Sequence, residues 1–248
     1  MLGADGRKPA RHKHGVRQWK RIDMSSGANE IIGLYERHAE AWDRNRIPDL
    51  ILEREWMELF VALLPSGGLV LDLGCGSGQP IARHLLERGF AVVGVDSSLT
   101  LISKCRSRFP KAEWIVADMR TLSIHRKFEG LIAWDSFFHL SHEDQRGMFS
   151  VFREHASSGA PLLFTTGTGH GEAIGSFQGE FLYHASLSPG EYGALLESYG
   201  FMVLNHVVED PKCGRHTVWL AQYGERKLSE CSEPNKTAAR DRVYKRGV

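Results

Sequence analysis

Net charge is almost missing from this 248-residue chain: 31 Lys and Arg stand against 30 Asp and Glu, leaving +1 at neutral pH. Without a global field, nothing draws the protein toward polynucleotide phosphates or an acidic membrane surface, so neither nucleic acid nor membrane is an expected partner. Cysteine is scarce too. Cys75, Cys105, Cys213 and Cys231 form no CxxC pair and no metal-like spacing, which excludes a zinc ribbon or disulfide framework and suits reduced thiols in the cytoplasm with no bound metal. No apolar run approaches the length of a membrane span. The N-terminal stretch RKPARHKHGVRQWKR lacks the apolar segment of a secretory signal. It also lacks the aromatic-basic alternation of a nucleic-acid arm, so residues 1–27 read as a solvated, disordered leader, with Met24 a candidate working start. No repeat is visible. What is present is a 42% hydrophobic composition, enough for a sizeable core, with no linker-like interruption from residue 28 to residue 223, which reads as one domain.

Within that domain two textures follow one another. Residues 28–64 carry Ile31, Leu34, Tyr35, Ala39, Trp42, Ile51, Leu52, Trp56, Leu59, Phe60 and Leu63 at helical spacing. From residue 69 short apolar runs (LVLD, VVGVD, WIVAD, LIAWD, PLLFTT) alternate with amphipathic segments, the pattern of a parallel sheet covered by helices on both faces. Punctuation agrees: Pro80 suits a first helical turn, Gly89 a helix end, and Ser188-Pro189-Gly190-Glu191 a capping box. FMVLNHVV and HTVWLAQY, separated by EDPKCGR, read as an antiparallel hairpin closing the sheet. Residues 224–248 are polar and unpatterned and are expected to be a disordered tail.

Four successive expected strands end in an aspartate: Asp72, Asp96, Asp118 and Asp135. The carboxyl ends of parallel strands line one crevice, and like charges gathered there cost energy unless a ligand answers them. Between the first strand and its helix, Gly74, Gly76 and Gly78 let backbone approach a ligand closely. The spacing is not the GxGxxG of a dinucleotide loop, and Asp72 would sit badly beside a pyrophosphate. It suits an ammonium group, while the following helix amides suit a carboxylate. Asp96, about 20 residues on, can accept two ribose hydroxyls, and Asp118 an exocyclic amine. An amino acid, a ribose and an amine-bearing base together describe S-adenosyl-L-methionine.

These residues resemble the class I S-adenosylmethionine-dependent methyltransferases of the small-molecule type. LDLGCGSG is similar to the family's glycine-rich first motif, VVGVDSS to its ribose-binding second strand, VADMR to its adenine-binding position and LIAWDSFFHL to its fourth-strand motif. GLYERHAEAWDRNR resembles the family's Y-D-x-x-A-x-x-Y-D segment, with Glu36 and Trp42 departing from it. The resemblance implies an α/β, Rossmann-like, doubly wound, mostly parallel seven-stranded sheet with a C-terminal antiparallel hairpin and N-terminal lid helices. It also implies that Asp72, Gly74, Gly76, Gly78, Asp96, Ser97, Asp118 and the Met119 backbone amide hold the cofactor, with Tyr35, Trp42 and Arg46 closing over it and Trp134 close by.

A sulfonium methyl is already electrophilic, so in-line positioning of the acceptor and exclusion of water are the main tasks. For a hydroxyl or protonated-amine acceptor a general base helps, and the candidates are His139, Asp135 and His170. His139 is favoured for its near-neutral titration. WDSF lacks the Asn/Asp-Pro-Pro-Tyr/Phe grip on a nucleobase, and no Pro-Cys dipeptide is present, so O- or N-methylation of a small molecule is expected. TGTGHGEAIGSFQGEFLYHASL, after the fifth strand, reads as an irregular binding insertion with Phe177, Phe181 and Tyr183 as walls and His170, Glu172 and His184 as polar points. A non-catalytic binding module, an aminopropyl-type transferase and an NAD-dependent oxidoreductase are the alternatives; a monomer or homodimer is expected.

Overall fold

The computed structural model describes residues 24–224. The expected leader and tail lie outside the described residues, apart from Met24 to Gly27, which open a helix, and Gly224. Three helices precede the sheet: α1 (Met24–Arg37), α2 (Ala39–Asn45) and α3 (Arg54–Val61). The sheet then alternates with helices through β1 (Leu69–Leu73), α4 (Ile81–Glu87), β2 (Ala91–Asp96), α5 (Leu99–Arg108), β3 (Glu113–Val116), β4 (Gly130–Ala133), α6 (His142–His155) and β5 (Pro161–Thr166). A separate hairpin, β6 (Gly171–Phe177) and β7 (Glu180–Ser186), leads to α7 (Pro189–Ser198), and β8 (Phe201–Asp210) with β9 (His216–Tyr223) completes the domain.

The seven-stranded sheet has the order β3-β2-β1-β4-β5-β9-β8, parallel from β3 to β5. β9 runs antiparallel between β5 and β8, so the second strand of the closing hairpin inserts between β5 and the first, which forms the sheet edge. The inner parallel strands β2, β1, β4 and β5 are buried on both faces because their side chains alternate between two cores, whereas β3 at the edge is partly exposed. Leu71, Leu73, Leu131, Ala133, Leu162 and Phe164 face the layer of α6 and α7. Val70, Ile132 and Leu163 face the opposite layer with Trp56, Met57 and Phe60 of α3. Helix starts follow side-chain chemistry: Ser98, Ser141 and Ser188 each accept an amide of the first turn, from Leu101, Asp144 and Glu191. Pro80 caps α4 one position ahead of its first helical residue.

The insertion after β5 departs from expectation. It is regular: β6 and β7 pair from Gly171↔Ser186 to Phe177↔Glu180, and Gln178 and Gly179 turn the chain with φ of +51° and +82°. Two consecutive positive φ values match the twist of a two-residue hairpin turn. β7 packs on α1 through Tyr183 and Ala185 against Ala28, and the end of α1 and the start of α2 are tied to the turn by Arg37 and His38 on Glu180.

Candidate functional site

The strand order reverses at β1, which pairs β2 on one side and β4 on the other, and the crevice opens at their carboxyl ends. The β1–α4 loop turns there through glycines with positive φ, +75° at Gly74 and +57° at Gly76. A Cβ at Gly74 would strike Ser136, and one at Gly76 would strike the ring of Trp42, so neither position has room for a side chain. Helix α1 and α2 close over this loop. Glu36 anchors α1 by accepting from the Ser98 hydroxyl at 2.5 Å and the Thr100 hydroxyl at 2.7 Å.

Two joined chambers result. The first, about 730 Å³ counting its open mouth, runs from Gly74 and Gly76 past Asp96, Ser97, Asp118 and Met119 to Ile31, Ile32 and Leu101. The second, about 810 Å³ on the same basis, holds Arg46, Asp72, Gln79, Trp134, Phe138, Leu182, His184 and His216. Tyr35, Trp42, Gly74, Asp135 and His139 line both.

The four strand-end acids reach the crevice in different states. Asp72 is 3% exposed, and its carboxyl makes no hydrogen bond to any described residue. Burial, then the charge of Asp96, raises its carboxyl to about 7, against a smaller pull from Arg46. Asp96 accepts the amides of Gly76 and Ser98, each at 2.9 Å; burial still pushes its carboxyl up. Asp118 lines the first chamber but is held by Arg120, whose Nε lies 3.0 and 2.9 Å from its two oxygens. Asp135 sits at φ +50°, a strained setting for a non-glycine residue, with its amide donating to Thr165 Oγ1. Its carboxylate meets His216 Nε2 at 3.0 Å and Arg46 at 3.8 Å.

The histidines are set by their second nitrogen. His139 Nδ1 lies 2.8 Å from the Tyr183 carbonyl, which can only accept, so this nitrogen carries the proton. Nε2 then accepts the Tyr35 hydroxyl at 2.9 Å. Burial lowers His139 to about 4, and Tyr35 is raised above the usual phenol range by burial and by Asp135. His216 donates its Nδ1–H to the Cys213 carbonyl at 2.6 Å, and its Nε2 lies 3.0 Å from Asp135 Oδ1 as an ion pair that falls short of hydrogen-bond geometry. The adjoining Asp135 carboxylate, then the Cys213 carbonyl, push it up to about 11, a cation at neutral pH.

The expected site residues are thus distributed unevenly. Tyr35, Trp42, Gly74, Gly76, Asp96, Ser97, Asp118, Met119, Asp135 and His139 line the first chamber; Arg46, Asp72 and Trp134 line the second. Gly78 lines neither: at φ +77° it backs onto Phe109 and Trp114. His170 lines neither as well, stacking on His142 with ring centroids 4.5 Å apart just before β6. In the expected acceptor wall, Glu172 instead accepts the Tyr183 hydroxyl at 2.6 Å, Phe181 is 56% exposed and Phe177 stacks on Tyr35. His216, Ser136 and Leu182 were not anticipated. His216 is brought in because β9 runs against β5, placing its first residue beside the carboxyl ends of the parallel strands.

Residues 70–159 match the methyltransferase-domain family model. The chain is 27% identical over 187 residues to an O-methyltransferase of Pyrenophora dematioidea, covering 68% of this chain and 69% of that one. It is 44% identical over 59 residues to the trans-aconitate 2-methyltransferase of Azoarcus sp., 23% of each chain. Three of the curated relatives are matched over only 23%, 29% and 36% of their own length. Among solved structures, the 1,6-didemethyltoxoflavin-N1-methyltransferase of Burkholderia thailandensis superposes with a TM-score of 0.62 at 16% identity, over 90% of this chain and 94% of that one. The fold is therefore the Rossmann-like fold of the class I methyltransferases.

Proposed function

Because the chain carries a class I S-adenosylmethionine-dependent methyltransferase domain, we propose that it binds S-adenosyl-L-methionine across the two chambers and methylates an O or N atom of a small molecule. One observation carries the reading: Asp72, a buried carboxylate with no hydrogen-bond partner among the described residues, faces the second chamber beside a glycine loop. A buried carboxylate without a counter-charge is costly, and an ammonium group offsets that cost. The amino-acid end of the cofactor supplies one. A pyrophosphate would worsen it, which disfavours an NAD-dependent oxidoreductase.

The donor set fits the rest of the cofactor. Asp96 spends one contact on Gly76 and one on Ser98 and keeps lone pairs for ribose hydroxyls. Ile31, Ile32 and Leu101 form apolar walls for a base, with Met119 and Asp118 at its edge. Asp118 would reach an exocyclic amine while still paired with Arg120. Arg46, whose Nε donates to the Gln79 carbonyl, is the cation at hand for a carboxylate.

When bound, S-adenosylmethionine supplies a methyl group that needs no covalent enzyme intermediate. The protein's part is to hold the acceptor in the second chamber, against Trp134, Phe138 and Leu182, and to exclude water by closing α1 and α2 over the joint. Tyr35 bridges both chambers with its hydroxyl fixed on His139, so it orients whatever lies at their junction. None of the three expected bases is free for proton transfer: His139 has both nitrogens engaged, Asp135 is ion-paired and His170 stands outside.

The unit is taken as one domain over 28–223, acting as a monomer or homodimer without nucleic acid. No described helix is long and apolar enough to cross a membrane. The unpaired thiols Cys75, Cys105 and Cys213 suit the cytoplasm, the compartment proposed here. Differential scanning fluorimetry tests the reading: S-adenosylmethionine and S-adenosylhomocysteine should raise the melting temperature and NAD should not. Stabilisation by NAD alone would overturn it; cofactor binding with no methyl transfer to any acceptor would favour a non-catalytic binding module.

A further inference from the structure

Three histidines line the second chamber, and their nitrogens are not equivalent. His139 donates from Nδ1 to the Tyr183 carbonyl and accepts the Tyr35 hydroxyl at Nε2. His216 donates from Nδ1 to the Cys213 carbonyl, and its Nε2 is ion-paired with Asp135. His184 differs. Its Nδ1 lies 3.1 Å from the Leu182 carbonyl and must carry the proton, which leaves the Nε2 lone pair without a partner among the described residues.

We propose that His184 is the general base of this site, taking the proton from a neutral O–H or N–H acceptor as it is methylated. The inference rests on the methyl-transfer reading above. The acceptor heteroatom forms its bond to the methyl carbon, the carbon–sulfur bond breaks with its electron pair left on sulfur, and the acceptor proton passes to His184 Nε2. After product leaves, the imidazolium returns that proton to solvent. Charge balances without any oxidant or metal, and the acceptor class follows: a small molecule neutral at the reacting atom.

The hairpin builds this base. Alternation along β7 turns Leu182 and His184 into the chamber and Tyr183 and Ala185 onto α1. In β6, Gly175, which pairs with Leu182 diagonally to His184, leaves the ring its place: a Cβ there would press on Cε1 at 3.3 Å. Phe138 and His139 pack the ring at centroid distances of 5.4 and 4.7 Å. Burial lowers the His184 imidazole below its ordinary range, so it is unprotonated and able to accept at neutral pH. The ionisable groups lining the chamber with it are Tyr35, His139, Asp72, Cys75, Asp135, Arg46 and His216. The last three form one ion-paired cluster, and Glu172 of β6 is engaged by Tyr183.

Two measurements on the full chain test the proposal. In cofactor-free protein, imidazole ¹⁵N spectra assigned with His184→Gln should show the Nδ1–H tautomer of His184 at pH 7.5; a protonated Nε2 would overturn the proposal and leave methyl transfer untouched. The second follows tritium from methyl-labelled S-adenosylmethionine into a deproteinised small-molecule extract, across pH 5–9. Wild type should incorporate label with a rate that rises through the His184 titration. His184→Gln should lose about 100-fold or more and that acidic limb with it, while S-adenosylhomocysteine affinity stays within about twofold. Equal incorporation by both proteins would refute His184 as base. Absence of label with the wild type would instead strike the methyl-transfer reading, and this inference with it.

Discussion

Asp72→Asn should make the ligand-free protein more stable and its cofactor binding worse, and the two effects should separate by pH. Asp72 is buried, and its carboxyl is raised from its ordinary value of 3.8 to about 7, first by burial and then by Asp96. The folded protein therefore keeps a proton that the unfolded chain releases near pH 4, so the folded state binds more protons between those values. Stability falls as pH rises through that window. At about 1.36 kcal/mol per pH unit, the full interval is a penalty on the order of 4 kcal/mol above pH 7, an upper figure because water and side-chain relaxation reduce it. Asparagine keeps the shape and removes the ionisation. For a domain of this size each kcal/mol is worth about 2–4 °C, so the variant should melt several degrees above wild type at pH 8 and level with it below pH 4. In the same variant, loss of one charge-assisted contact to an ammonium group, about 1.5–3 kcal/mol, should weaken S-adenosylhomocysteine binding by one to two orders of magnitude. Scanning fluorimetry at both pH values and titration calorimetry at pH 8 provide the readings. A variant less stable than wild type at pH 8, with unchanged affinity, would refute the assignment of Asp72 as an uncompensated carboxylate awaiting a cation.

Other outcomes follow from the same geometry. Asp96→Ala removes the acceptor of the Gly76 and Ser98 amides as well as the proposed ribose contacts, so calorimetry should show weaker S-adenosylmethionine binding by about 1.5–3 kcal/mol for each charge-assisted bond lost; unchanged affinity would remove Asp96 from the ribose site. Gly78→Ala should lower stability by about 1–3 kcal/mol in denaturant titration, because the added methyl meets Phe109 and Trp114 at a positive φ; a neutral result would show that the loop can shift. His170→Ala should leave cofactor affinity and methyl transfer unchanged, and a loss of turnover would place an acceptor contact outside the second chamber. Deleting residues 1–23 and 225–248 should leave the melting temperature and cofactor affinity nearly intact; aggregation of the shortened chain would show that a terminal segment covers part of the domain.

The sheet was legible because its strands are short apolar runs closed by acids, a pattern that suits buried parallel strands whose carboxyl ends meet at a polar crevice. LVLD, VVGVD, WIVAD and LIAWD each end beside the crevice as their order suggested. The β6–β7 hairpin was not legible. Its outward residues, Glu172, Ala173, Gly175 and Ser176, give no apolar alternation, and its turn uses Gln178 in the left-handed region, where asparagine or glycine is the usual signal. The Gln178-Gly179 dipeptide between two seven-residue segments was the available clue. Proton states were hidden for a different reason. His139, His184 and His216 look alike in sequence, and only the carbonyls of Tyr183, Leu182 and Cys213 decide which nitrogen of each carries a proton. The Tyr183 carbonyl reaches His139 only through the tertiary placement of β7, while those of Leu182 and Cys213 lie two and three residues from their histidines and depend on local backbone conformation.

The central claim is that the crevice takes the amino-acid end of S-adenosylmethionine at Asp72 and its ribose at Asp96. A crystal structure of the full chain with S-adenosylhomocysteine measures this most directly. The account predicts the ligand amino group within about 2.7–3.2 Å of Asp72 or one water away, the ribose hydroxyls on Asp96, and the sulfur at the joint between the chambers under Tyr35. A ligand bound with its ribose elsewhere, or with its carboxylate rather than its amino group toward Asp72, would contradict it.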